Sequence, residues 1–353
     1  MEKPVGIKEI AKLSNTSIGT VDRVLNNRTG VSIKTKERVL EVIKKTGYVK
    51  NNVASRLKLS AGKKIKIAVI LPKGNSKVSY WSLPKNGVKK ALNELNNLGV
   101  EVDFISFRSD DIKEYKNLLS PVFNDEYNGV ITVSLFDEIS NQLVAYCTEN
   151  KKELVFIDNK NNNVTNANFI CQNSIKSGRV AGRLLYNCVG DSGDFIALTF
   201  LQKSEYQGNQ KVRELAFKEF LEQKNPKINI HTIVHTIDQN LENNTVLNNL
   251  LNSKTTKGVF ITNSRSYLFS NYIKSKGLKN IKIVGFDLNE KNVEELKNEN
   301  IQYLINQKPE LQGYQALMKI FQKITQDDSI SLNIDIPIEI IVKENFEDSS
   351  DVL

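Results

Sequence analysis

The chain has 353 residues and a net charge of +9 at pH 7, and 40% of its residues are hydrophobic. It contains no apolar run of about 18 residues and no leader-like N-terminal segment, so we expect a cytoplasmic protein that is neither exported nor membrane-spanning. Cys147, Cys171 and Cys188 are odd in number and without close pairing, which is typical of reduced thiols rather than a disulfide framework.

The positive charge is concentrated at one end of the chain. Residues 1–64 contain 15 Lys and Arg against 5 Asp and Glu, whereas the other 289 residues contain 34 against 35. Such a basic concentration is typical of phosphate binding, in which released counterions supply an affinity that falls steeply with salt. Taken alone, the same charge run would more simply indicate a solvated basic surface.

Residues 5–26 predict two short helices joined by a sharp turn, the geometry that inserts a helix into the major groove of DNA. Asn15 in the turn tolerates a left-handed backbone, and Ser17 can accept from the free N–H groups that open the second helix. Apolar residues recur at helical spacing in both helices, so the two apolar faces are expected to bury each other. These residues are Ile7, Ile10, Ala11 and Leu13, followed by Ile18, Val21, Val24 and Leu25.

The free face of the second helix carries small and hydrogen-bonding side chains that suit the edges of base pairs. The candidate base contacts are Ser17, Ile18, Gly19, Thr20, Asp22, Arg23 and Asn26. A third amphipathic segment over residues 34–46 is predicted to close the small core. Its inward residues are Val39, Leu40, Val42 and Ile43.

Residues 5–60 resemble the DNA-binding headpiece and hinge of the LacI/GalR family of bacterial transcription regulators. In that family a linker helix forms on the operator, and residues 53–57 match its pattern. The resemblance implies that Leu57 wedges into the central minor groove. The implied DNA contacts of this segment are Asn52, Ala54, Arg56 and Leu57. Asn15 replaces a usual Gly, and Asp22 stands where a small hydroxyl residue is common, which leaves the operator sequence open.

From residue 65 the sequence alternates apolar strands with amphipathic helices, the pattern of doubly wound parallel sheets with helices on both faces. Strands are predicted at residues 65–71, 100–107, 129–133, 154–157, 195–200, 228–234, 258–262, 281–286, 301–305 and 337–342. A region of about 290 residues is large for one hydrophobic core and fits two lobes.

This region resembles the type I periplasmic sugar-binding fold that LacI-family regulators use as an effector domain. The motifs that carry the resemblance include residues 258–263, 284–287 and 306–309. The fold class is therefore α/β, with a small all-α helix-turn-helix headpiece followed by a two-lobed periplasmic-binding-protein-like domain. The expected boundaries are 1–47 for the headpiece, 48–62 for the hinge helix or linker, 65–345 for the effector domain and 346–353 for a tail. The first lobe is expected at about 65–162 and 307–331, and the second at about 163–306 and 332–345.

In such folds the ligand binds in the cleft at the carboxyl ends of the strands. Sugar hydroxyls need carboxylates, amides and a guanidinium, and the C–H surface of a sugar needs an aromatic face. The resemblance implies that the ligand-binding residues are Tyr80, Trp81, Asp137, Arg213, Asn263, Asp287 and Gln307. Asp158 and Asn159 end another predicted strand, and they are as readily hinge or turn residues as ligand contacts.

The combined pattern predicts a homodimeric regulator that binds a roughly palindromic DNA operator under allosteric control by a small ligand, a sugar or sugar derivative. The resemblance implies that this regulator is a repressor. Whether the ligand releases DNA or promotes binding stays open. A transport receptor would share residues 65–345 but should have a signal peptide instead of a basic headpiece. A nucleoid-type protein would bind DNA with little sequence preference.

An enzyme and a metal protein are the other classes to weigh. An enzyme on this fold would need a nucleophile, a catalytic base or a cofactor loop, and none is visible in the sequence. His231 and His235 lie four residues apart on a predicted strand, too far apart to share one metal ion. We therefore expect no catalytic activity, no metal and no cofactor.

Overall fold

The protein is described here from a computed structural model. The described residues are 7–25, 30–46, 64–73, 80–95, 98–109, 111–123, 126–191, 193–202, 208–326 and 329–346. The chain divides into two compact units between residues 63 and 64. None of the helices in these described ranges is long and apolar enough to span a membrane.

The described part of the first unit forms three helices, α1 (Ile7–Leu13), α2 (Ile18–Leu25) and α3 (Ile33–Thr46). All three were predicted from the apolar spacing. The turn between α1 and α2 has the expected geometry, because Asn15 is left-handed with φ of 48° and the Thr20 N–H donates to Ser17 Oγ at 3.1 Å. The core of this unit is formed by Ile10, Ala11, Val21, Val24 and Val39.

The prediction of a buried apolar face was wrong for three residues of this unit. Leu13 is 53% exposed, Ile18 is 46% exposed and Leu40 is 45% exposed. The three short helices bury only a narrow strip of each surface, so α3 fully buries Val39 while Val42 and Ile43 are partly buried. Leu13 is the last residue of α1.

Lobe 1 of the second unit is built on a six-stranded parallel sheet with the order β11-β5-β4-β3-β1-β2. Its strands are β1 (Ile65–Pro72), β2 (Val100–Phe107), β3 (Gly129–Thr132), β4 (Glu153–Ile157), β5 (Phe169–Gln172) and β11 (Ile334–Ile336). Its helices are α4 (Ser82–Glu94), α5 (Ile112–Leu118), α6 (Ser120–Phe123), α7 (Asp137–Glu149) and α13 (Pro309–Thr325). One continuous core runs along this sheet.

Lobe 2 has a six-stranded sheet with the order β12-β10-β9-β8-β6-β7, in which only β12 is antiparallel. Its strands are β6 (Asp194–Leu201), β7 (Ile230–Thr236), β8 (Thr256–Ile261), β9 (Lys282–Phe286), β10 (Tyr303–Asn306) and β12 (Glu339–Ile341). Its helices are α8 (Ser174–Val189), α9 (Gly208–Lys224), α10 (Thr245–Asn252), α11 (Ser266–Ser275) and α12 (Glu290–Lys297). Two separate apolar clusters cover this sheet.

The structure confirms the ten predicted strands and corrects the predicted lobe boundaries. β5 and β11 were not predicted, and both belong to lobe 1, so the chain crosses between lobes near residues 173, 307 and 338. The Asn-rich segment at 159–168 belongs to lobe 1, where the Asn161 amide donates to the Ser134 carbonyl at 3.1 Å. β4 and β5 are parallel neighbours, and the described segment that joins them contains no helix.

Two glycines allow the helices α4 and α13 to lie against each other. A Cβ added to Gly87 would lie 1.8 Å from the Glu310 carbonyl oxygen, and one added to Gly313 would lie 2.0 Å from that of Pro84. Only residues without a side chain permit this backbone approach, which fixes α13 on the face of lobe 1 directly after the second crossing.

Gly313→Ala should lower the free energy of unfolding by about 1–3 kcal/mol, because the methyl group forces α4 and α13 apart. Urea unfolding followed by the fluorescence of Trp81, the only tryptophan in the sequence, measures this change. Gly19→Ala is the control, because its added Cβ would lie 3.8 Å from the Ser17 hydroxyl and strain nothing. An unchanged midpoint for Gly313→Ala would contradict the close packing.

Candidate functional site

The Arg213 guanidinium on α9 is the most buried charged group at the carboxyl ends of the lobe 2 strands, with 2% exposure. It donates through Nη1 to the Thr262 carbonyl at 3.0 Å and through Nη2 to Gln307 Oε1. The Arg213 Cζ atom lies 3.9 Å from the centre of the Phe286 ring, which is a cation–π contact. The Gln307 amide then donates to both carboxylate oxygens of Asp287, at 2.9 and 3.0 Å.

The conformation of the backbone directly after β9 positions Asp287 in this cluster. Asp287 directly follows β9 in a left-handed conformation with φ of 68°, and its N–H donates to the Ile305 carbonyl at 3.0 Å. Asp tolerates this region of backbone space better than most residues. Burial raises the pKa of Asp287 to about 6, although the Arg213 charge and the Gln307 hydrogen bonds lower it.

Lobe 1 contributes a second polar pair, Tyr80 and Asp158. The Tyr80 hydroxyl donates to the Asp158 carboxylate, and burial raises the pKa of both groups. Asp158 follows β4 with φ of 70°, and its carbonyl accepts from the Asn209 amide of α9 at 2.9 Å. This bond joins lobe 2 to lobe 1. The Trp81 ring lies edge-on to Tyr80, with ring centres 5.1 Å apart.

The structure brings together most of the predicted ligand-binding residues, although their roles stay predictions. Tyr80, Arg213, Asp287 and Gln307 interact directly or through their charges. Asn263 follows Thr262, the residue that accepts from Arg213, and its amide donates to the Phe200 carbonyl at 2.6 Å. Trp81 packs against the lobe 1 core beside Tyr80.

Asp137 has different partners from the other predicted ligand contacts. It begins α7, and its carboxylate accepts from the amides of Asn161 and Asn163, both at 2.6 Å. These bonds hold the Asn-rich segment onto lobe 1. They link Asp137 to that segment rather than to the Arg213 cluster.

Three polar residues of this region were missed or left undecided by the sequence analysis. The sequence analysis gave Asp158 as either a hinge or turn residue or a ligand contact. Its position directly after β4 was the signal that indicated a place in this region. Gln312 accepts from the Asp158 N–H at 2.8 Å and donates to the Gln307 carbonyl at 2.9 Å. Asn209 had no sequence signal, because it is a single polar residue at the start of a helix and follows no predicted strand directly.

The predicted DNA-contacting face of α2 points away from the core of its unit. Ser17, Ile18, Gly19 and Arg23 are exposed, while Thr20 and Asp22 are partly buried. Ser17 Oγ and Thr20 Oγ1 lie 2.9 Å apart at the start of the helix. The other predicted DNA contacts, Asn26, Asn52, Ala54, Arg56 and Leu57, lie outside the described residues.

Comparison with known protein families agrees with both units. The sequence profile of the bacterial regulatory proteins, lacI family, matches residues 6–51, and that of the periplasmic binding protein domain matches residues 67–327. The chain therefore belongs to the periplasmic binding protein domain family over most of its length, and it carries a lacI-family domain at residues 6–51. The family assignment confirms the fold class that was predicted from the strand and helix pattern.

Two curated relatives of the chain are regulators named for their helix-turn-helix (HTH). The chain is 30% identical over 154 residues to the "Probable HTH-type transcriptional repressor ExuR" of Bacillus subtilis, over 44% of this chain and 43% of that protein. It is 31% identical over 183 residues to the "HTH-type transcriptional regulator RegA" of Clostridium saccharobutylicum, over 48% of this chain and 52% of that protein. The chain thus spans about half the length of these relatives.

Solved structures show the same fold at lower identity. A protein described as a LacI transcriptional regulator from Bacteroides fragilis superposes with a TM-score of 0.73 at 22% identity, over 80% of this chain and 98% of that one. GanP, a glucose-galactose binding protein from Geobacillus stearothermophilus, superposes with a TM-score of 0.66 at 18% identity, over 80% and 99%.

Asp287→Asn should stabilise the protein at pH 7.5 by about 3 kcal/mol, because the pKa of the buried carboxylate rises from 3.8 to about 6 on folding. The native fold binds this proton more tightly than the unfolded chain, so the Asp287 contribution to the free energy of unfolding falls as pH rises from about 4 to about 6. The gain in the variant should therefore vanish near pH 4.

Urea unfolding of the native chain and the variant at pH 4, 5, 6 and 7.5 measures this dependence. Asp335→Asn is the matched control. It replaces a carboxylate by an amide in lobe 1, at a side chain that is exposed. A difference between the Asp287→Asn variant and the native chain that is constant across this pH range would contradict the raised pKa.

Proposed function

We propose that the protein is a sequence-specific DNA-binding transcriptional regulator, a repressor whose operator affinity is controlled allosterically by a small ligand, a sugar or sugar derivative. The observation that carries the proposal is the combination of two sites in one chain. A lacI-family unit presents an exposed face of α2, and a periplasmic binding protein domain gathers Arg213, Asp287 and Gln307 where its strands end.

The DNA side of the proposal rests on shape and charge. The exposed side chains of α2 suit the major groove, and the excess of Lys and Arg in residues 1–64 supplies phosphate contacts. Two copies of the chain would grip the two half-sites of a roughly palindromic operator, so we expect a homodimer. Residues 48–62 would form the hinge, with Leu57 as the minor-groove wedge.

The ligand side rests on the polar cluster between the lobes. Its guanidinium, carboxylates and amides can form paired hydrogen bonds with vicinal hydroxyl groups, and solved neighbours of the same fold are described with bound D-arabinose and D-allose. A ligand that binds one arrangement of the lobes more tightly shifts operator affinity by the same free-energy difference. Such a protein acts in the cytoplasm and needs no catalytic group.

Arg23→Ala should reduce affinity for a duplex selected by the protein from a random pool by about tenfold to a hundredfold, and reduce affinity for a scrambled duplex much less. Fluorescence anisotropy at one fixed salt concentration measures both affinities. Arg38→Ala is the matched control, because Arg38 is an exposed arginine of α3. The Arg38→Ala substitution should lower the affinity for both duplexes alike. An equal loss on both duplexes for Arg23→Ala would contradict base reading by α2.

Asp287→Ala should abolish the effect of the ligand on operator affinity while leaving operator binding by the ligand-free protein nearly intact. The reason is that Asp287 lies within the polar cluster of the second unit, whereas the base contacts belong to the first. The same anisotropy titration, with and without ligand, separates the two effects. A ligand response retained in this variant would place the ligand elsewhere.

A further inference from the structure

The three segments that cross between the lobes are joined by one uncharged side chain. The Gln172 amide, at the end of β5, donates to the Asn306 carbonyl at 3.0 Å and to the Pro337 carbonyl at 3.3 Å. Gln172 has 2% exposure, so these bonds are shielded from water. Because Gln172 carries no charge, salt affects these bonds little. The crossings therefore stay together when charged groups around them are altered.

A second contact between the crossings is ionic, and it joins one lobe to the other. Lys308 immediately precedes α13 of lobe 1, and Glu339 is the first residue of β12 of lobe 2. Lys308 Nζ lies 2.9 Å from Glu339 Oε1, and the other carboxylate oxygen accepts from the Asn306 amide at 2.7 Å. The two charged side chains are 27% and 32% exposed, so dissolved salt screens the attraction between them.

The backbone of Lys308 is strained. Its φ of 50° and ψ of 55° lie in the left-handed region, which residues other than Gly, Asn and Asp rarely occupy. Contacts on both sides hold this conformation. The Lys308 N–H donates to Asn306 Oδ1 at 3.0 Å, and its carbonyl accepts from the Gln312 N–H at 3.1 Å. Strain of this kind persists only where the surrounding structure enforces it.

The strained backbone and the inter-lobe ion pair belong to the same residue. Rotation of one lobe against the other is absorbed by φ and ψ changes in the few residues that cross between them. Such a rotation moves Lys308 relative to Glu339, so it breaks the ion pair and releases the strain together. The released strain offsets part of the lost attraction. Two lobe arrangements of similar free energy are what a ligand needs in order to shift the balance between them.

We propose that Lys308 and Glu339 form an inter-lobe latch, an ion pair that holds the second crossing in its strained conformation and whose release lets the lobes rearrange. The inference rests on the proposed function for its effect on operator affinity, because it names the regulation of that function. The latch itself belongs to the periplasmic binding protein domain, so it can be measured without DNA.

Hydrogen–deuterium exchange of the full chain tests the latch. Lys308→Met removes the charge and keeps the length of the side chain, so amides in residues 303–312 and 334–342 should exchange about twofold to fivefold faster. Lys308→Arg keeps the charge and should exchange like the native chain. Lys276→Met is the matched control, because it removes an ion pair with Glu242, at 2.8 Å, that lies within lobe 2. It should leave both segments unchanged.

Salt separates an ionic latch from a contact that only supports the local structure. Raising NaCl from about 50 mM to about 500 mM should speed exchange of both segments in the native chain and leave Lys308→Met unchanged. Glu339→Gln, which keeps an acceptor for the Asn306 amide, should behave like Lys308→Met. Native exchange rates in both charge-removing variants, or a salt response that persists in Lys308→Met, would overturn the latch.

Operator binding is measured in parallel at one fixed salt concentration. Lys308→Met should change the affinity for a duplex selected from a random pool by about twofold or more, and Lys308→Arg should not. An unchanged affinity in Lys308→Met would overturn the regulatory role of the latch. Failure of the native chain to select any duplex would refute the proposed regulator and leave the exchange result standing.

Discussion

Burial of the Arg213 guanidinium is the constraint around which the second unit is organised. A guanidinium with 2% exposure needs oxygen partners for its N–H groups, and the segments after β8 and β10 supply one each, to Nη1 and Nη2. Removing one partner of a buried charge costs about 3–5 kcal/mol, so Gln307 and Thr262 must hold their places for the fold to persist. The same requirement places Asp287, the third strand-end residue, in contact with Gln307. The polar groups of this cluster are therefore preorganised for any ligand that binds there.

Amide side chains join this cluster to the segments that cross between the lobes. Gln172, at the end of β5, donates to the carbonyl of Asn306 at 3.0 Å, so it ties the first crossing to the second. Gln312 joins Asp158 of lobe 1 to the carbonyl of Gln307 at the second crossing. Movement of one lobe against the other must therefore stretch bonds that also position the cluster. This shared dependence is the physical route by which a small ligand would alter the geometry of the whole domain.

Most of the architecture could be predicted from the sequence, because long apolar strands and amphipathic helices have strong periodic signals. β5 and β11 were missed because each is joined to a neighbouring strand of the sequence without a helix between them, so the alternation of strands and helices gives no signal for them. Missing them moved the predicted lobe boundaries. Residues at strand ends, such as Asp287, were predictable by position. Asp137 was placed by the same reasoning, but the Asn-rich segment that binds it has no counterpart in the strand pattern. Asn209 could not be found, because its partner Asp158 becomes a neighbour only when the lobes meet.

In the proposed regulator, operator binding and ligand binding are linked through one chain. Linkage is reciprocal, so a ligand that changes operator affinity by some factor must have its own affinity changed by operator by the same factor. The most direct measurement is the ligand dissociation constant, followed by Trp81 fluorescence, with saturating operator duplex, with scrambled duplex and without DNA. We predict a change of about fivefold or more with operator and none with scrambled duplex. The same dissociation constant in all three conditions would contradict the account.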